Sequence, residues 1–298
     1  MSSSFSRRRF ITSAAMTLAA QWAAGQIPFL SNQEKVKHLG LQLWSVRDDM
    51  AANAEQTLKA LANMGYKEVE GFGFEQGKMF KMQLTDFIKI LKNNGLKMHS
   101  THFNLSVQDL NESNGTLSDR AKKALDDLAE AGVRYAICPW IGEADRAQPQ
   151  KLVSLCQAAG QYAQKAGIGF GYHNHDFEFT TKGADGRMVY EWLLQEVDPA
   201  LMTLELDLYW VVYAGQNPVE WFRRYPGRFR LCHVKDMAKT PARQTVEVGD
   251  GSINFTEIFK ERRLAGLEYF IVELEHYATT PMQGVKRARE NFRKIRIA

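Results

Sequence analysis

Two imidazoles, His173 and His175, stand two residues apart in the run GIGFGYHNHDFEF spanning 167–179. Side chains alternate along a strand, so both rings face one way and Asn174 the other. Imidazole is a common metal ligand and the usual carrier of protons near neutral pH, so a pair on one face marks candidate chemistry. Either ring can serve as ligand with its neighbour as acid or base, and two hydrogen-bonded structural histidines would look the same in sequence. Further on, the runs LELDLYW, LCHVKD and FIVELEH bring Asp207, His233, Lys235, Glu273 and Glu275 to comparable places at the ends of apolar stretches. What must be found is the framework that would make those ends meet.

A repeating phrase supplies it. An amphipathic helix, a glycine and a short apolar strand recur as ALANMGYKEVEGF, KILKNNGLKMHSTHF, DLAEAGVRYAICPW, YAQKAGIGFGYHNH and RRLAGLEYFIVELEH. Gly65, Gly95, Gly132, Gly167 and Gly266 fit the left-handed residue that ends a helix. Adding HLGLQLW, LMTLELDL and RFRLCHVKD gives eight strands. They alternate with predicted helices over 51–63, 84–93, 117–131, 150–165 and 188–196, which points to an α/β fold of the (β/α)8 TIM-barrel type. A doubly wound open sheet is disfavoured because GLQLWSVRDD, after the first strand, holds no glycine-rich phosphate loop.

In such barrels reactive residues sit where strands end. Read this way, the candidates are Gln42 and Trp44, Glu68 and Glu70, His99 and His102, Trp140, His173 and His175, Glu205 and Asp207, His233 and Lys235, and Glu273 and Glu275. His173, Asp207, His233 and Glu273 fall at similar depth on four neighbouring strands, a mixed donor set for a divalent ion. Mn²⁺ is favoured, with Zn²⁺, Co²⁺, Fe²⁺ and Mg²⁺ as alternatives. Taken singly, each has an ordinary explanation: Asp207 can cap a turn, His233 can bond to backbone, and Glu273 or Glu275 can pair with Lys235. Gathered at one mouth, they point to a metal site.

The strand ends GYHNHDFEF, ELDLYW, HVKD followed by VGDGSINF, and YFIVELEH resemble those of the sugar phosphate isomerase/epimerase superfamily, the xylose isomerase-like TIM barrels that include ketose epimerases and inosose dehydratase. The resemblance spans roughly residues 36 to 296. It implies a divalent metal held by Glu, Asp, His and Glu on strands five to eight, positions occupied here by His173, Asp207, His233 and Glu273. The strand-five His departs from the epimerase pattern, whose Glu there is also one of two acid/base groups, and this weakens simple two-base epimerisation. Trp210 stands where the three-metal nuclease branch has a histidine, which argues against that branch.

The expected activity is a metal-dependent sugar isomerase or epimerase that removes a proton beside a carbonyl. Elimination by a lyase or dehydratase and non-catalytic carbohydrate binding are the alternatives. Glu273, His175 and Lys235 are the expected proton carriers, Lys235 acting as a base only if its pKa is lowered. Trp44, Glu70, His102, Trp140 and Glu275 are the expected substrate contacts, with Phe72 and Phe177 as further stacking surfaces.

Composition narrows the partners. Residues 1–25, MSSSFSRRRFITSAAMTLAAQWAAG, read as a twin-arginine export signal: Arg7 to Arg9, an apolar stretch, then small residues at 23 and 25. A linker over 26–35 then leads into one barrel domain, 36–298. The protein is therefore expected to use the twin-arginine export machinery, to reside in the periplasm and to keep no stable membrane span after processing. Taking the three leader arginines from the net charge of +4 leaves about +1, too little for nucleic acid to be a partner. The basic run from Lys286 to Arg296 reads as an outer helix face, with Val285, Ala288, Phe292 and Ile295 turned inward. Three cysteines in apolar settings give no disulfide framework. A small, non-phosphorylated keto sugar suits that compartment and the lack of an arginine clamp.

Overall fold

Runs of four to six residues form the eight strands, and five of them follow a helix that ends in a left-handed glycine, Gly65, Gly95, Gly132, Gly167 or Gly266. The computed structural model describes residue 36 and residues 38–297, so the expected leader and linker lie outside the described residues. The strands are β1 His38–Gln42, β2 Glu68–Gly71, β3 Lys97–His102, β4 Tyr135–Cys138, β5 Gly169–His173, β6 Thr203–Asp207, β7 Phe229–Val234 and β8 Tyr269–Val272. Every neighbouring pair is parallel, and β1 pairs with both β2 and β8, closing the barrel.

The main outer helices are α1 Arg47–Asn63, α2 Leu84–Asn93, α3 Asp119–Glu130, α4 Pro149–Ala166, α5 Val189–Glu196, α6 Pro218–Arg224, α7 Phe255–Lys260 and α8 Pro281–Phe292. The first begins four residues before the predicted start, because the 3-10 turn Leu43–Val46 runs straight into it, and it kinks at Asn53. On α8, Val285, Ala288 and Phe292 are buried. All five helix-ending glycines of the repeat have φ between 67° and 93°, which L side chains rarely adopt. Among the described residues, no helix is long and apolar enough to cross a membrane. Cys138, Cys156 and Cys232 are buried and free.

Side-chain alternation divides the interior into levels. The inward series on β8 is Tyr269, Ile271, Glu273; on β7 it is Leu231, His233, Lys235; on β6 it is Thr203, Glu205, Asp207. Tyr135, Ile137, Leu231, Tyr269 and Ile271 form an apolar cluster inside the barrel. On β5 the space beside them is left by glycines: a Cβ at Gly171 would lie 2.5 Å from Ile137 Cδ1, and one at Gly169 would lie 2.6 Å from Tyr135 Cδ1. His173 is thus the side chain β5 adds above that layer.

On β3 the alternation breaks. Val69 of β2 pairs with Met98 and Glu70 with Ser100, so His99 is skipped in the register. A bulge of this kind re-aims the side chains around it. His99 and His102 therefore both turn to interior carboxylates, Glu68 and Glu70, although they are an odd number of residues apart.

Candidate metal centre at the barrel rim

At the C-terminal mouth, β5 to β8 deliver the four candidate ligands to one place. His173 Nε2 and His233 Nδ1 each lie 3.9 Å from Asp207 Oδ2, and His233 Nδ1 is 2.9 Å from Glu273 Oε2. All four residues are buried. The other oxygen of Asp207 accepts the Trp210 N–H at 3.0 Å and caps the short helix Leu208–Tyr213, so this residue serves a turn and faces the site at once. Its Oδ2 is buried with no hydrogen-bond partner. A naked buried carboxylate oxygen is costly unless a cation meets it, and here imidazoles and a second carboxylate surround it.

Lys235, two residues beyond His233, is also buried and shares these oxygens. Its Nζ donates to Glu275 at 2.5 Å and Glu273 at 3.1 Å, and lies 3.7 Å from Asp207 Oδ2. Tyr209 and Trp210 cover it, their ring centroids 5.5 and 5.2 Å from the ammonium.

Beneath this layer two further carboxylates orient the imidazoles. Glu205 Oε2 is 3.1 Å from His173 Nδ1, 3.2 Å from His233 Nε2 and 3.3 Å from His102 Nε2. Glu70 Oε1 is 2.7 Å from His233 Nε2 and 3.2 Å from His102 Nε2, and it accepts from Gln42 Nε2 at 2.7 Å. His173 and His233 therefore each present one nitrogen to a deep carboxylate and the other to the Asp207 side. This is how proteins fix the tautomer and direction of a metal-binding histidine.

Burial and neighbouring charge set the protonation states. Burial pushes the Asp207 carboxyl up to about 6. Burial, helped by the nearby Lys235 charge, pushes His175 down to about 3, and burial with the His233 charge holds His173 well below its usual range. Burial works against charge on His102, His233 and Lys235, but the carboxylates beside them prevail. Glu70 and Glu205 hold His102 at about 9, Glu205, Glu273 and Glu70 hold His233 well above its usual range, and Glu273, Asp207 and Glu275 hold Lys235 above its own. In the same way Lys235 and His233 hold Glu273 low against its burial.

The rim carries aromatic walls. Trp44 and Trp140 are 42% and 47% exposed, which is unusual for indoles. Trp140 stands edge-on to His175 and Phe177, while Arg146 stacks on Phe177 at 3.5 Å. Trp44 meets Phe72 edge-on, with Arg47 over its ring. Across the mouth the loop VGDGSINF is bound by Asp236, whose carboxylate accepts the N–H groups of Met237, Gly249, Gly251 and Ile253. A Cβ on Gly251 would come within 2.2 Å of Asp236 Oδ1, so only glycine permits this grip.

Against the sequence expectations, His173, Asp207, His233 and Glu273 come together. His175 stands beside them, its ring centroid 5.1 Å from that of His173, with a buried Nδ1 that has no partner. Glu275 is at the rim, bound to Lys235. Glu70, expected to contact substrate, is fully buried under His233 and holds the imidazoles, and His102 is largely enclosed in the same network. Lys235 departs from the expected low-pKa base, because three carboxylates crowd its ammonium. Glu68 and His99, read as strand-end residues, lie toward the N-terminal mouth: Glu68 opens β2 and pairs with His38 at 2.5 Å. The holding roles of Glu205 and Asp236 went unread in the sequence. For Glu205 a signal existed, since it is two residues before Asp207 and so on the same face.

Eight parallel strands closed under a rim of imidazoles and carboxylates define a TIM-barrel protein with a metal-type centre. The chain belongs to the xylose isomerase-like TIM barrel family, whose sequence profile matches residues 58–296. It is 28% identical to a sugar phosphate isomerase/epimerase from Parabacteroides distasonis, with a TM-score of 0.75 over 88% of this chain and 96% of that one. It is 22% identical over 277 residues to an inosose dehydratase from Geobacillus thermodenitrificans, covering 80% of this chain and 89% of the relative. The barrel of an IolI protein solved with a zinc atom matches at a TM-score of 0.63, with 15% identity over 87% of this chain and 97% of that one. These relatives support an enzyme of the sugar isomerase, epimerase and dehydratase group.

Proposed function

We propose that the protein is a metal-dependent enzyme that abstracts a proton next to the carbonyl of a non-phosphorylated keto sugar and returns it to give an isomer or epimer. The observation that carries this reading is the buried Oδ2 of Asp207, which accepts no hydrogen bond and faces His173 and His233, with Glu273 and the Lys235 ammonium alongside. His173, Asp207, His233 and Glu273 would hold the ion, with Mn²⁺ favoured over Zn²⁺, Co²⁺, Fe²⁺ and Mg²⁺ for this mixed donor set. When bound, a divalent ion supplies the positive charge that stabilises the negative oxygen formed as the adjacent C–H loses its proton.

The chain's own groups would do the rest. Glu273, held as a carboxylate, accepts the proton and, for an isomer, returns it to the former carbonyl carbon as the neighbouring hydroxyl proton passes to the old carbonyl oxygen; an epimer requires a second acid on the opposite face. Lys235, held as an ammonium, donates a hydrogen bond to a substrate oxygen, a role suited to a group that keeps its proton. His175 is neutral under Trp140 and suits hydrogen bonding to a hydroxyl better than storing a proton. Trp44 and Trp140, exposed at the rim, offer ring surface on which a sugar stacks.

A second reading, dehydratase or lyase chemistry, is favoured by the inosose dehydratase match across 89% of that relative and by His173 in the place where the epimerases resembled by this sequence carry Glu. Both readings begin with the same proton loss, and the second ends with departure of a β-hydroxyl or glycosyl group. Elemental analysis followed by ¹H NMR of keto sugars in D₂O tests them. Exchange at the carbon beside the carbonyl, lost with chelator, supports the shared step, and an unsaturated product assigns the second reading. Sugar binding with no exchange over long incubation would make the protein a carbohydrate-binding barrel.

The twin-arginine leader and periplasmic residence belong to the same proposal, resting on the run Ser6 to Ile11 and the apolar stretch after it. Cell fractionation with N-terminal sequencing tests it, and a cytoplasmic protein retaining Met1 or its immediate neighbours would refute it.

A further inference from the structure

We propose that the N-terminal mouth of the barrel carries a second metal site, independent of the rim, in which His38, Glu68 and His99 bind a transition-metal ion such as Zn²⁺. One donor atom from each residue lies within 4.8 Å of the others. His38 Nδ1 is 2.5 Å and His99 Nε2 is 3.4 Å from the same atom, Glu68 Oε1. Ligands about 2.1 Å from a tetrahedral zinc stand about 3.4 Å apart, so small movements of these side chains would admit an ion. Two imidazoles and one carboxylate select zinc, cobalt, nickel or copper over magnesium and calcium.

The surroundings suit an ion. Two rings from separate strands converge on one carboxylate, which brings three donor atoms to one point. Tyr269 braces both rings, its centroid 4.7 Å from His38 and 5.2 Å from His99, so the imidazoles are held before any ligand arrives. The side chains of His38, Glu68 and His99 are 23%, 13% and 25% exposed, so an ion and a completing water can enter directly. The β3 bulge is what turns His99 to this mouth. Ile137, Leu231 and Ile271 fill the barrel between the two mouths and keep the sites from sharing ligands.

A bound ion would tie β1, β2 and β3 together at the N-terminal mouth. It would therefore stabilise the fold, because it binds the native barrel and finds no preformed site in the unfolded chain.

The test uses the full-length protein stripped with chelator and titrated with Zn²⁺ against a chromophoric competitor, with thermal unfolding followed in parallel. Wild type should take up two equivalents. His38→Gln and His99→Gln, which keep a hydrogen bond to Glu68 within reach, should each take up one and retain keto-sugar exchange. Asp207→Asn should also retain one equivalent, together with a zinc-dependent rise in Tm of roughly a few degrees that the double variant Asp207→Asn/His99→Gln lacks. Zinc uptake and Tm response in both His variants equal to those of wild type would overturn the proposal, as would a single wild-type equivalent that vanishes in Asp207→Asn. If zinc uptake is unchanged in Asp207→Asn but drops in His99→Gln, the rim reading fails and this one stands.

Discussion

The two mouths of the barrel hold similar residues in different surroundings. At the C-terminal rim, His173, Asp207, His233 and Glu273 are buried, rest on a further layer of Glu70, His102 and Glu205, and leave Asp207 Oδ2 without a hydrogen bond. At the N-terminal mouth, His38, Glu68 and His99 are mostly buried but reached by solvent, and contact one another directly. The contrast separates tuning from mere proximity. Donor atoms within reach of an ion occur at both ends, but only the rim has carboxylates beneath its imidazoles and aromatic walls above them.

The sharpest way to break this distinction is to remove a rim ligand. Asp207→Ala or His233→Ala should abolish metal-dependent exchange, by about a thousandfold or more if the ion stabilises the developing charge. Both variants should leave zinc uptake at the opposite mouth untouched. Retained exchange, measured by NMR in D₂O, would remove the mechanism.

The layer beneath should matter less, though clearly. Glu205→Gln keeps the shape and removes the charge that orients His173 and His233, and should weaken rim metal affinity by about 10- to 100-fold in a competition titration. An unchanged affinity would reduce the deep carboxylates to packing.

His102 gives the comparison a pH signature. Its folded pKa of about 9 lies above the ordinary value of 6.5. Its protonation therefore stabilises the fold fully below about pH 6.5, and this contribution is lost as pH rises through 9. Metal-free protein should lose roughly 1–3 kcal/mol over that window in denaturant titrations, and His102→Asn should flatten the slope. The smallest effect is expected at the walls: Trp140→Ala should raise KM by about 3- to 10-fold with kcat nearly unchanged, as loss of a stacking surface implies. A larger fall in kcat than rise in KM would instead mean that Trp140 positions His175.

The barrel was legible from the sequence because its repeat is written in strong signals: eight apolar strands, and glycines at 65, 95, 132, 167 and 266 that only a left-handed turn explains. The rim residues followed from the same frame, since strand ends in a closed barrel must converge. Depth was harder to read. Glu68 and Glu70 look equivalent on paper, yet one opens its strand and the other lies under His233. His99 and His102 could not be sorted by parity, because a bulge depends on pairing with another strand. Which way the Lys235 pKa moves was not legible, because the crowding of Glu273, Asp207 and Glu275 around it comes from the ends of two other strands, β6 and β8.

The grip of Asp236 on the VGDGSINF loop has a mechanical corollary. The residue that fastens this loop is bonded directly to the one whose ammonium sits among the rim carboxylates. Any ligand that draws Lys235 out of its nest must pull on the loop through a single peptide link. Occupancy at the bottom of the pocket would thus be transmitted to its entrance, and hydrogen exchange at the amides of Gly249, Gly251 and Ile253 would register the tug.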